Sequence, residues 1–139
     1  MTSGQAVMVH GLAMAREALA AAVSCGCPVT LLSAEGAAGY AGVAWWMALV
    51  KAARIAAPTA RSRDILDCGA APGRALEALR AGQKTLILRA DPRIWADIAE
   101  RAEDCGATLL PAPPPCLDLS RPGASRKLAA WLQAPPAAT

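Results

Sequence analysis

Asp67, Gly69, Pro72 and Gly73 lie close together in the stretch DILDCGAAPGR, from Asp64 to Arg74. A carboxylate followed by glycines can wrap backbone closely around a small ligand, because glycine takes left-handed conformations without steric cost. The same residues suit a plain bend in which a buried strand feeds a helix with proline in its first turn. A second series, Gly36, Gly39 and Gly42 in GAAGYAG, follows Ser33 and Glu35. Its amides could hold a phosphate or carboxylate at the start of a helix. The pattern lacks the Walker A lysine and is not the dinucleotide fingerprint, and such glycines also let a helix approach a sheet.

His10 is the only histidine. It falls at the carboxyl end of a strand, where a general base would stand; the simpler account is a polar residue satisfied by local hydrogen bonds. Ser33 and Asp67 complete a triad with it only on paper, since no nucleophile-elbow pattern surrounds the serine. Cys25-Gly26-Cys27 has no second cysteine pair to complete a zinc site, so no metal is expected and the cysteines read as small buried hydrophobes.

These residues must be positioned by an alternation of strands and helices. Apolar runs Ala6 to Val9, Pro28 to Ser33, Asp64 to Cys68, Thr85 to Arg89 and Ala107 to Pro111 read as five strands. Helical patterns fill the intervals: Leu12 to about Ser24, a long helix after GAAGYAG that ends before Pro58, Pro72 to Ala81, and one capped by Asp91 with Pro92 at its first position. A proline-rich loop, PAPPP, precedes a last short helix over Ser125 to Gln133. Apolar strands without alternation, joined by helices, imply parallel strands covered on both faces. The expected fold is a single-domain, three-layer α/β/α sandwich over residues 1–134 with a mostly parallel five-stranded sheet, flavodoxin-like or Rossmann-like. Residues 135–139 are expected to fray. In such sheets ligands bind beyond the carboxyl ends of the strands, where the strand order reverses. His10, Ser33, Glu35, the loop from Asp67 to Gly73, Arg89 and Asp91 are delivered to those ends.

With 139 residues, 55% hydrophobic and 18% charged, the chain can bury one substantial core. A net charge of +3 with scattered basic residues gives no nucleic-acid stripe. The N-terminal segment lacks a basic leader and no apolar run is long enough to span a bilayer, so no membrane association is expected and a cytoplasmic location is. The five cysteines are then expected to stay reduced. Trp45, Trp46 and Met47 are consecutive, so at about 100° per residue they cannot all face one sheet. Trp45 and Trp46 are therefore interface candidates for a two-fold homodimer.

The stretch ILDCGAAPG resembles the first motif of class I S-adenosylmethionine-dependent methyltransferases. That resemblance implies that Asp67, Gly69, Pro72 and Gly73 surround the amino-acid part of the cofactor and that Asp91 binds its ribose hydroxyls. The chain departs from the pattern in having Arg74 for the second glycine, PAPPP where an acidic residue would meet the adenine, and two strand-helix units before the motif. The leading expectation is therefore a non-catalytic α/β module that binds a small anionic or nucleotide-like ligand, or a protein partner. The alternatives are a minimal S-adenosylmethionine-dependent enzyme and a structural homodimer.

Overall fold

The computed structural model describes residues 4–135. Among these residues six strands and six helices follow in the order β1 (Gln5–Val9), α1 (Leu12–Cys25), β2 (Val29–Ser33), α2 (Ala37–Tyr40), α3 (Val43–Ala56), β3 (Ser62–Asp67), α4 (Pro72–Ala81), β4 (Thr85–Ile87), α5 (Pro92–Asp104), β5 (Thr108–Leu110), β6 (Cys116–Asp118) and α6 (Ala124–Gln133). The fold is α/β with a mostly parallel sheet in the order β5-β4-β3-β2-β1-β6, a three-layer arrangement of the flavodoxin-like or Rossmann-like kind.

Two compact units divide the chain, and each has its own logic. In the first, residues 4–32, 49–64 and 114–135, β1 and β6 pair in parallel with Ala6 opposite Cys116 and Met8 opposite Asp118. Ala15, Ala18, Leu19 and Ala22 form the buried stripe of α1, and their small side chains let the helix pack closely. Leu128 and Leu132 do the same for α6, which packs against α1. The Trp131 indole N–H donates to the Ala6 carbonyl at 2.8 Å and fastens α6 to β1. Arg54 joins α3 to the start of β3 by bonds to Ser62 Oγ and Asp64 Oδ1, both at 3.0 Å.

In the second unit, residues 33–48 and 65–113, β4 pairs in parallel with both β3 and β5. Leu66, Leu86 and Ile87 are buried, and α5 packs on α4 and β5. Proline at the first position opens both α4 and α5, since its missing N–H would have no intrahelical partner there. Asp91 caps α5 through a 2.9 Å bond from the Arg93 amide.

Two expectations need correction. The sheet has six strands rather than five: β6 has only three residues, follows the prolines, and carries no periodic apolar pattern. The long helix expected after GAAGYAG and before Pro58 is α3, and the glycine stretch itself forms the separate short helix α2, parted from α3 at Ala41 and Gly42. Trp46 is fully buried and Trp45 half-buried, so Trp46 belongs to the core; among the described residues the most exposed large apolar side chains are Tyr40 and Ile55, at 71% and 70%. The frayed tail expected at 135–139 lies outside the described residues except for Pro135, whose carbonyl accepts a 3.4 Å bond from Gln5. No helix among the described residues is long and apolar enough to cross a membrane.

Candidate functional site

The carboxyl ends of β2, β3 and β4 bring together Ser33, Glu35, Gly36, Asp67, Gly69 and Arg89. Asp67 ends β3 and is 2% exposed. Its Oδ1 accepts from the Gly69 amide at 2.8 Å, the Gly36 amide at 3.2 Å and Arg89 Nη1 at 3.0 Å, while Oδ2 accepts from Arg89 Nη2 at 3.0 Å. Four donors meet the carboxylate, three on Oδ1 and one on Oδ2. Its own amide donates to Ser33 Oγ at 2.9 Å, and that hydroxyl donates onward to the Ala34 carbonyl at 3.1 Å.

The two glycine turns follow from this clamp. Gly36 and Gly69 both have left-handed φ, +70° and +58°, which turns their amides toward one carboxylate. They touch: a Cβ on Gly69 would lie 3.3 Å from the Gly36 Cα. The Gly69 carbonyl also accepts from the Arg89 amide at 2.8 Å, so both sides of its peptide are held.

Arg89 follows β4. Its guanidinium is held in a two-point fork on Asp67 with 34% of the side chain exposed, and Glu35 Oε1 stands 3.9 Å away, itself 78% exposed. The Asp67 bonds raise the Arg89 pKa, against the lowering effect of partial burial, so the group is a fixed cation. Two of its five N–H donors serve Asp67, which leaves others for a ligand.

The cofactor expectation does not fit these residues. Asp67, which the methyltransferase resemblance would place beside the cofactor, is buried with both oxygens bonded to the protein's own groups, the Gly36 and Gly69 amides and Arg89. Asp91, which would bind ribose, caps a helix. Gly39 and Gly73 are exposed, in α2 and in the first turn of α4, and take no part in the clamp. Ser33 is buried and its hydroxyl is engaged, so it is no nucleophile. His10 bonds to Asp118 at 2.9 Å in the first unit. No group of three or more candidate metal ligands occurs among the described residues.

Sequence reasoning placed Arg89 at a strand end without giving it a partner. The signal was available in principle, since an arginine just beyond one parallel strand can reach a carboxylate ending its neighbour. Asp118 was missed because its strand was read as loop.

Cys68, directly after Asp67, is buried, and its thiol pKa is pushed up to about 12 by that burial first and then by the Asp67 and Glu77 charges. The folded thiol keeps its proton at pH values where the unfolded one, at about 9, has lost it. Stability is therefore retained below about pH 9 and falls as pH rises toward 12. Alkylation with iodoacetamide at pH 8, read by mass spectrometry, is expected to label exposed Cys105 and spare Cys68 until the chain unfolds. Rapid labelling of Cys68 in the native protein would contradict its burial.

No protein-family model matches the chain, and a search of curated proteins finds no relative of it.

Proposed function

We propose that the chain is a non-catalytic α/β module that binds a small anionic or nucleotide-like ligand at Arg89, beside the Gly36 and Gly69 turns. The single observation that supports this reading is the arginine itself. A guanidinium locked by a buried carboxylate, yet one-third open to solvent, is a pre-organised anion receptor whose side-chain entropy is already spent. No nucleophile or free general base accompanies it: Ser33 and Asp67 are both buried and bonded to the protein's own groups. Glu35 opposes the binding of an anion, because its carboxylate lies beside the same cation. Its high exposure lets it swing aside, so it acts as a weak competitor rather than a permanent partner.

Calorimetric titration with pyrophosphate and with adenosine diphosphate tests the reading, with S-adenosylhomocysteine run in parallel. Binding is expected for the phosphate ligands. Arg89→Lys, which keeps the charge but loses the fork, should weaken it about tenfold or more, while Glu35→Gln should tighten it about twofold to fivefold. Silence from both phosphate ligands up to about 10 mM would reject the proposal. Tight binding of S-adenosylhomocysteine alone would reinstate the transferase alternative.

A further inference from the structure

The strand order runs from β1 to β5 in one direction and reverses only between β1 and β6. At the carboxyl ends of this pair, His10 and Asp118 meet: His10 Nε2 lies 2.9 Å from Asp118 Oδ1. The same oxygen accepts from the Ser120 amide at 2.9 Å and from the Ser120 hydroxyl at 2.7 Å. Arg121 Nε is 4.0 Å from Oδ2. Partial burial would raise the Asp118 pKa, but the bonds from Ser120 and His10 outweigh it and hold the carboxyl below its usual range. Asp118 is therefore an acceptor only, and Nε2 must carry the hydrogen between them. That fixes the neutral ring in the Nε2–H tautomer with a lone pair on Nδ1, which makes no hydrogen bond among the described residues. The His10 side chain is 35% exposed.

A histidine with one nitrogen anchored on a carboxylate and the other free can serve as a general base or as a nucleophile. A base needs a substrate held beside it. Here α1 and α6, the helices that follow the two strands, pack against each other, and the His10 side chain is open to solvent at the strand ends. Such a group needs only an encounter with a reactive donor.

We propose that His10 is a phosphoryl-acceptor site, modified at Nδ1 by a donor of the acyl phosphate or phosphoramidate class, with Asp118 as its positioning residue. The Nδ1 lone pair forms the N–P bond. The donor's P–O or P–N bond breaks, and its electron pair leaves with the carboxylate or amine. The ring keeps its Nε2 proton, and the positive charge that develops on it faces the Asp118 carboxylate.

The full chain would be incubated with acetyl phosphate or potassium phosphoramidate and analysed by intact and tandem mass spectrometry. One phosphoryl group on His10 is expected, stable in alkali and lost in acid. It should be absent from His10→Gln, whose fold circular dichroism can verify. Asp118→Asn should acquire it at least about tenfold more slowly, because the ring loses its fixed tautomer. Ser120→Ala, which keeps the His10–Asp118 contact, should still be modified. Imidazole ¹⁵N shifts of the unmodified protein should report the Nε2–H tautomer. Absence of the adduct, its location on another residue, an unchanged rate in Asp118→Asn, or an Nδ1–H tautomer would each overturn the assignment.

Discussion

Asp67→Ala should lower the unfolding free energy by about 2–4 kcal/mol. The substitution strands two amides, those of Gly36 and Gly69, and leaves Arg89 without its fork. Removing one member of a buried pair usually costs more than this, but a third of the Arg89 side chain reaches solvent, so water replaces part of what is lost. Asp67→Asn keeps an oxygen for the two amides while turning an amide group toward Arg89, and should cost about half as much. Urea denaturation of both variants gives the numbers directly. The double variant Asp67→Ala, Arg89→Ala should be less destabilised than the sum of the singles, since the stranded cation is gone. A shift below about 0.5 kcal/mol for Asp67→Ala would mean that the clamp is not structural, and the carboxylate would again be available to a ligand.

Trp46→Ala should cost about 3–5 kcal/mol, because a fully buried indole is replaced by a cavity that its neighbours only partly fill. Trp45→Ala, at a half-buried position on the next residue, should cost less than half of that. Thermal or urea unfolding separates the two, and sedimentation velocity reports association on the same samples. If Trp46→Ala leaves stability within about 1 kcal/mol of wild type but changes the sedimentation coefficient, the tryptophan contacts another molecule instead of the core. The rings of Trp45 and Trp46 lie 6.2 Å apart at 44°, so the outer indole also shields the inner one.

Much of the fold was legible in the sequence. The ends of α4 and α5 follow from Pro72, Gly82 and the Asp91-Pro92 pair, because proline and a short carboxylate act on the nearest few residues regardless of what surrounds them. The burial of Val29, Leu31 and Leu32 in β2 follows from a stretch without charged residues or clean alternation. The bend after Asp67 was equally plain, since glycine there meets a local backbone need.

The role of that bend was not legible. Whether Asp67 faces a cofactor or its own backbone depends on Arg89, which pairs with it from the end of the next strand, and on the Gly36 turn beyond β2. Likewise, consecutive tryptophans guarantee different directions but do not say which directions are covered. Strand β6 shows the same limit most clearly. Three residues after a proline run have no helical or alternating period of their own, and only pairing with β1 makes them a strand and brings Asp118 to His10. The sequence alone determined the local punctuation, the alternation of elements and the apolar runs, because these arise from short-range steric and solvation preferences. Only the tertiary structure decided the strand order, the partners of Asp67 and His10, and the burial of Trp46, because these depend on residues whose separation along the chain carries no local signal.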